Sequence, residues 1–234
     1  AGCYSCNSSG CLAGVWFNTH PTGGQQSGAI PVCKRDFLIQ TGRTLFVGDS
    51  DVDYWHTSGT AIPGSYNVGI GGQTCSDVEQ EINFLLQNFQ PSQVVLICGE
   101  NDMSPPGPSS AGETFARWTN IVETILATGA TVVQIGTKPE PDTTSLHENY
   151  QKYDTRIRNY VTTQAQDGPP RIVFVDSYRA FVAMGNSRSL YAQDGLHLSP
   201  SGYQLFDQWV ALASTNFNNC VIWRGDVCVT QASS

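Results

Sequence analysis

The sequence predicts an α/β fold: a three-layer α/β/α sandwich with a central parallel sheet of about five strands. From residue 44 onward, short apolar runs rich in β-branched residues alternate with longer amphipathic segments. The short runs are typical of strands buried on both faces. Because strand and helix alternate repeatedly, right-handed crossovers and a parallel sheet between two helix layers are expected. The predicted strands are 44–47, 66–70, 94–98, 131–135 and 172–175.

Four helices are predicted between and after these strands. Segments 77–89 and 112–127 each place their apolar side chains on one stripe. Ser145 and Glu148 have the spacing of a capping box, which predicts a helix running to about Val161. Ser199 and Pro200 are typical of an N-cap and first helical position, and predict a helix over 202–212.

The chain length and composition predict one main domain with two Cys-bearing ends. A chain of 234 residues is long enough for one large α/β domain with a substantial core. Residues 1–38 lack any period of 2 or 3.6 and are expected to form a cross-linked coil packed on the main domain. The main domain is predicted over 39–215, followed by a disulfide-stapled tail over 216–234.

The eight cysteines favour an extracellular, disulfide-bonded protein. A zinc site is the alternative, because Cys3 and Cys6 have ligand spacing, but no second such pair follows. The sequence does not determine the connectivity. Cys98 is expected to be a buried strand residue, and a pair between Cys75 and Cys98 is the less favoured alternative.

Charge and hydropathy limit the partners. The formal net charge is −8 and the twelve basic residues are scattered, which argues against a nucleic-acid partner. No apolar stretch approaches the length that spans a bilayer, so no membrane insertion is expected. The first residues lack a Met and a hydrophobic leader, as in a mature secreted chain. We expect a secreted monomer.

Glycine-bearing turns follow the first three predicted strands, and a fourth polar loop precedes the last helix. The carboxyl ends of parallel strands meet at one edge of the sheet, which is where ligands bind in such folds. We therefore expect these loops to converge. The turns are Gly48-Asp49-Ser50, Gly69-Ile70-Gly71-Gly72 and Gly99-Glu100-Asn101-Asp102, and the late loop is Asp194-Gly195-Leu196-His197.

This set of residues is suited to nucleophilic catalysis. A serine hydroxyl needs an adjacent base held in the right tautomer. Of the four histidines, only His197 has a carboxylate three residues earlier in a Gly-containing loop, and Asp194 could accept a hydrogen bond from Nδ1. An oxyanion hole could be formed by the backbone N–H groups of Ser50 and Gly72 and the amide of Asn101.

Four alternatives compete with this interpretation. His56 is the rival base, and a backbone carbonyl could orient His197 in place of Asp194. An α/β-hydrolase elbow requires G-x-S-x-G, but Val52 stands where the second glycine belongs. The aspartates near Ser50 lack a fourth oxygen ligand, so no metal is expected.

The four blocks, in this order, resemble those of the SGNH (GDSL-type) hydrolases over roughly residues 45–210. The resemblance implies a flavodoxin-like three-layer fold, Ser50 as nucleophile, Asp194 and His197 as the rest of the triad, and no cofactor. It also implies that Gly72 and Asn101 are oxyanion donors. The first block departs from the family, because Asp51 replaces the usual Leu or Ile.

The substrate prediction is a short-acyl ester, above all an acetyl ester, on a small molecule or a polysaccharide. Residues 136–139 are similar to a segment of relatives connected with acetyl-carbohydrate esterases. A lysophospholipase or thioesterase of the same fold is one alternative. A non-catalytic extracellular carbohydrate-binding module is another, in which Tyr54, Trp55 and Tyr191 would line a sugar-binding surface instead of the core.

Overall fold

A computed structural model describes residues 43–105, 108–166 and 168–231, together with three short N-terminal strands. The chain divides into two compact units, Ala1–Gln40 and Thr41–Ser234. In the first unit, β1 (Cys3–Cys6) pairs antiparallel with both β2 (Val15–Phe17) and β3 (Ala29–Pro31). The coil prediction for 1–38 is corrected by these strands, which are too short to show a period. The predicted N-terminal disulfides lie outside the described residues.

The second unit contains a seven-stranded, mostly parallel sheet flanked by helices, which confirms the predicted fold class. The strand order across the sheet is 10-9-8-7-6-4-5, and every neighbouring pair is parallel except the last two strands of the chain. In chain order the strands are β4 (Thr44–Gly48), β5 (Tyr66–Asn67), β6 (Gln93–Ile97), β7 (Thr131–Ile135), β8 (Ile172–Val175), β9 (Cys220–Arg224) and β10 (Val227–Gln231).

The C-terminal segment adds two strands that the prediction of about five did not include. Strand β9 pairs parallel with β8, and β10 returns antiparallel along β9 as a hairpin. Four consecutive residues of β9, from Cys220 to Trp223, are buried, as in β4, β6, β7 and β8. A disulfide between Cys220 and Cys228 joins the two strands of the hairpin. The segment predicted as a stapled tail is therefore part of the central sheet.

The four predicted helices are all present, with small differences at their ends. Ser199 accepts a hydrogen bond from Gly202 and precedes Pro200, as predicted. The predicted capping box at Ser145 is wrong, because Ser145 lies in a 3₁₀ turn and the helix begins after Leu146. The helices are α1 (Ser50–Asp53), α2 (Ser58–Ala61), α3 (Cys75–Phe89), α4 (Glu100–Met103), α5 (Ala111–Ala127), α6 (His147–Gln164), α7 (Ser177–Ala183) and α8 (Pro200–Thr215).

The inner strands β4, β6, β7, β8 and β9 are buried on both faces because each face is covered by helices. On one face, every second strand residue, such as Val95 and Val133, packs in a cluster with Phe206 and Trp209 of α8. Helices α3, α5 and α6 contact one another in the other layer. Within the described parts of the chain, no helix combines the length and apolar character required to cross a membrane.

Candidate active site

Ser50 lies at the tight junction between β4 and α1. Gly48 has φ +152°, and a methyl group built there would lie 2.0 Å from the carbonyl oxygen of Ile97. Only glycine permits this approach between β4 and β6. Asp49 then caps α1, because its carboxylate accepts a hydrogen bond from the N–H of Asp51 at 3.0 Å. The cap places Ser50 at the first position of the helix, at the carboxyl edge of the sheet.

His197 reaches Ser50 from the loop that precedes α8. Its Nε2 lies 3.1 Å from the Oγ of Ser50, and its Nδ1 lies 2.7 Å from an oxygen of Asp194. With the proton on Nδ1 donated to the carboxylate, Nε2 is free to accept the serine hydroxyl proton. The structure therefore brings together all three residues that the sequence analysis grouped.

Asp194 is held by its own loop. One carboxylate oxygen accepts from the backbone N–H groups of Leu196 and His197, at 3.0 and 3.1 Å. Burial raises the pKa of Asp194, but the hydrogen bonds from the His197 ring and from these backbone groups outweigh it and lower the pKa to about 2. The carboxylate is thus ionised and oriented. The backbone carbonyl considered as an alternative does not take this place.

The ring of Tyr54 packs against the imidazole of His197. The two rings meet edge to face, with centroids 4.9 Å apart, and Tyr54 is partly exposed. His56, the rival base, is an exposed residue of the turn after α1. Trp55 is buried in the core and donates to Asp207 at 2.7 Å, and Tyr191 is also buried. Of the three aromatics, only Tyr54 remains available to a ligand.

Three candidate hydrogen-bond donors lie on the turns that carry Ser50, Gly72 and Asn101. Among the described residues, the backbone N–H groups of Ser50 and Gly72 make no hydrogen bond. Gly72 has φ +82°, a conformation that favours glycine. A methyl group built on Gly71 would lie 4.0 Å from the Cβ of Ser50, so this loop borders the nucleophile. One N–H of the Asn101 amide donates to the carbonyl of Gln73 at 2.9 Å, which leaves the second N–H for a ligand.

The loops that carry Gly72 and Asn101 are covalently joined. A disulfide links Cys75, at the start of α3, to Cys98, at the end of β6. The N–H of Cys75 also donates to Asp102 at 2.6 Å, and Asp102 pairs with Arg117. The sequence analysis disfavoured this disulfide, and that expectation is corrected here. Asp102 therefore has a structural role between these two loops.

A buried charge cluster lies behind Ser50, and it is not among the features predicted from the sequence. Lys138 follows β7, and its Nζ contacts Asp51 at 2.6 Å, Glu100 at 2.6 Å and Glu140 at 2.7 Å. All four side chains are buried. A sequence pattern could have predicted this cluster: a lysine follows the fourth predicted strand, and acidic residues follow the first and third. These three strands end at the same edge of the sheet.

The cluster shifts the protonation of its members. Burial raises the pKa of Glu100 well above its usual range, and neighbouring Glu140 raises it further. Burial lowers the pKa of Lys138, but its three carboxylate partners outweigh burial and raise it well above its usual range. Burial raises the pKa of Asp49 to about 8, with Asp51 as the next contribution. The lysine is therefore charged, and part of the carboxyl charge is neutralised by protons.

Comparison with known proteins gives one family and several related folds. A sequence model of the GDSL-like lipase/acylhydrolase family matches residues 46–205. No curated protein gives a significant match.

Solved structures share the architecture at low sequence identity. A protein described as an acylhydrolase from Bacteroides fragilis has a TM-score of 0.66 at 22% identity, covering 77% of this chain and 92% of its own. A GDSL-like lipase from Bacteroides thetaiotaomicron has a TM-score of 0.60 at 20% identity, covering 75% and 88%. A mutant acetylxylan esterase from Geobacillus stearothermophilus has a TM-score of 0.60 at 15% identity, covering 76% and 95%. At these identities the likeness shows the fold.

Proposed function

Because the chain belongs to the GDSL-like lipase/acylhydrolase family and is a carboxylic ester hydrolase, we propose that it cleaves short-acyl esters, above all acetyl esters of carbohydrates, through an acyl-enzyme on Ser50. The observation that carries the proposal is the hydrogen-bonded series from Ser50 through His197 to Asp194. This series can turn a weakly acidic hydroxyl into a nucleophile.

The proposed reaction has two steps. The Oγ of Ser50 attacks the ester carbonyl carbon while His197 takes the hydroxyl proton on Nε2. His197 then gives that proton to the departing alcohol oxygen, and the acyl group stays on Ser50. In the second step a water molecule passes a proton to His197 and attacks the acyl carbon. The acid leaves and the proton returns to Ser50. Asp194 stabilises the imidazolium in both steps.

The donors near Ser50 would stabilise the developing negative charge. Each donor is held by local structure. The start of α1 fixes the unpaired N–H of Ser50, and the glycine turn fixes that of Gly72. The bond to Gln73 fixes the amide of Asn101, whose second N–H remains available. Preorganised donors of this kind are among the largest contributors to acyl-transfer catalysis.

The surroundings of His197 support a small acyl group and a sugar alcohol. Two of the exposed large hydrophobic residues in the described part of the chain lie beside His197. Tyr54 contacts the His197 ring, and Leu196 precedes His197 in the chain. A long acyl chain would require a larger apolar surface. An exposed aromatic ring at this position suits the face of a sugar. The structural neighbour described as an acetylxylan esterase agrees with this substrate class.

We further propose that the enzyme acts outside the cell. Two disulfides are present in the described residues, Cys75–Cys98 and Cys220–Cys228. Disulfides persist in oxidising compartments and are rare in the cytosol. Thiol titration of the native protein, with and without denaturant, should find these four cysteines oxidised, and free thiols at these positions would oppose the proposal.

The nucleophile is tested by Ser50→Ala. We expect hydrolysis of p-nitrophenyl acetate to fall by at least about 10⁴-fold and fluorophosphonate labelling to disappear, as for a triad serine elsewhere. Ser58→Ala is the matched control, because Ser58 is a buried serine nearby that bonds to Asn67. Ordinary esterase activity in pure Ser50→Ala protein would refute the assignment.

The acyl preference is tested with p-nitrophenyl esters of increasing chain length and with acetylated xylan. We expect kcat/KM to be highest for acetyl and to decline with length, and acetate to be released from the polysaccharide. A maximum at C8 or longer would refute the acetyl assignment and favour a lysophospholipase or thioesterase.

A further inference from the structure

The buried cluster around Lys138 connects the two loops that the proposed reaction requires. Asp51 directly follows Ser50 in α1, and Glu100 directly precedes Asn101 at the start of α4. Lys138 contacts both carboxylates at 2.6 Å from a third loop, after β7. One ammonium group therefore joins the nucleophile turn to the turn that carries the oxyanion amide.

The geometry uses the full bonding capacity of the lysine. An ammonium has three hydrogens, and the Nζ of Lys138 has three carboxylate partners, the third being Glu140 at 2.7 Å. Glu100 is held twice by the same residue, because its other oxygen accepts from the backbone N–H of Lys138 at 2.6 Å. Residue 138 thus fixes both the position and the orientation of the carboxylate next to Asn101.

Lys138 and its carboxylate partners lie in a dry environment, and the lysine side chain is only 2% exposed. The contacts between Lys138 and its carboxylate partners are little screened by solvent. They resist displacement, because moving any partner leaves a buried charge unpaired. Glu140 is anchored in turn by the hydroxyl of Thr143 at 2.6 Å. The lysine is therefore tied to its own loop as well as to the two reacting loops.

We propose that Lys138 is a positioning residue that sets Ser50 and Asn101 at the separation required for oxyanion stabilisation. Asp51 is its link to the nucleophile, so the departure of this chain from the usual Leu or Ile at this position has a function. The proposal rests on the proposed acyl-enzyme reaction, and Lys138 acts through other residues and does not touch the substrate.

The main test is Lys138→Met, which keeps an unbranched side chain of similar length and removes the charge. We expect kcat per active site, titrated with a fluorophosphonate, to fall at least about tenfold while KM stays within about twofold, because small displacements of reacting groups are costly. Affinity for an alkylboronic acid, which forms a tetrahedral anion on serine, should fall in parallel with kcat. Unchanged kcat per active site would overturn the proposal.

The matched control is Arg158→Met. Arg158 forms a largely buried ion pair with Asp176, which caps α7. Its loss also leaves a buried carboxylate, but neither residue bonds to Ser50 or Asn101. We expect kcat per active site to be retained at a temperature well below the melting transition. An equal fall in both variants would show general loosening of the fold and would overturn the specific role of Lys138.

A second variant keeps the test decisive if Lys138→Met does not fold. Asp51→Leu restores the residue usual in the family and leaves Lys138 two carboxylates. It breaks only the link to the nucleophile turn, so kcat should fall with KM retained, and wild-type kcat would overturn the proposal. In an Asn101→Ala background, Asp51→Leu should have a much smaller effect. Failure of the reaction itself would appear separately, as activity in Ser50→Ala.

Discussion

At the scale of single residues, the site combines an exposed triad with a buried support. Asp194 is about half exposed, and its charge depends on hydrogen bonds within its own loop. Asp51, in contrast, is buried and lies 2.6 Å from the Nζ of Lys138. The first residue orients the base and the second belongs to the framework behind Ser50. Two aspartates of one site therefore have different roles, which are set by their solvent exposure and their partners.

The Asn101 amide offers a residue-scale prediction. Asn101→Ala removes one oxyanion donor, and we expect kcat to fall by about 10²–10³-fold with a small change in KM. Steady-state kinetics with p-nitrophenyl acetate would measure the effect. Asn120→Ala is the control, because the Asn120 amide donates to Glu79 on the surface. A kcat within a few-fold of wild type in Asn101→Ala would remove Asn101 from the oxyanion hole.

At the scale of elements, the site depends on how neighbouring strand ends are tied together. The turns after β4 and β6 touch at Gly48 and Ile97. The turn after β6 is joined to the start of α3 by the Cys75–Cys98 disulfide, the Asp102 carboxylate and the Asn101 amide. These ties restrict loops that would otherwise be mobile, and an oxyanion hole formed by loops requires such restriction.

The two disulfides predict different consequences of removal. The Cys75–Cys98 bridge closes 23 residues between two site loops, so replacing both cysteines by Ala should lower stability by about 3 kcal/mol. This replacement should also reduce kcat, measured at a temperature below the melting transition. The Cys220–Cys228 bridge closes only 8 residues in the β9–β10 hairpin, and its removal should leave kcat unchanged. Thermal melts and kinetics would test both, and equal kcat in the two variants would contradict a role for Cys75–Cys98 in the site.

At the scale of the whole molecule, buried carboxyl groups make stability depend on pH. Burial raises the pKa of Asp49 to about 8 and that of Asp154 to about 7, from 3.8. Between pH 3.8 and these raised pKa values, the folded state holds protons that the unfolded chain releases. The free energy of unfolding therefore falls as pH rises through this range. Asp194 acts oppositely, because its pKa of about 2 adds stability that is lost only as pH falls from about 4 to 2.

The contributions of these three groups are together greatest near pH 4. We expect the free energy of unfolding in urea to be lower at pH 8 than at pH 5 by more than about 1 kcal/mol, since one pKa unit corresponds to about 1.4 kcal/mol. Asp154→Asn should show a shallower dependence, because an amide does not titrate. Equal or greater stability at pH 8 in the wild-type protein would contradict the protonated state of these buried groups.

The sequence alone determined the fold class and the set of residues at the site edge. Short β-branched runs, amphipathic segments and glycine turns are local patterns, and each reports on the backbone where it occurs. The seven-stranded extent of the sheet was not predicted, because the apolar run of β9 lies between cysteines that suggested a tail. The 3₁₀ turn before α6 similarly displaced a plausible capping signal at Ser145.

Only the tertiary structure decided what supports the catalytic residues. Lys138 and Asp51 are 87 residues apart, and Cys75 and Cys98 are 23 apart. Their contacts exist because β7, β6, β4 and β5 are consecutive in the sheet and end at the same edge. Which long-range charges and thiols meet there depends on side-chain placement to within a few ångströms, and a local pattern does not encode that. The sequence thus predicted the groups proposed to react, and the packing of the sheet ends determined how they are held.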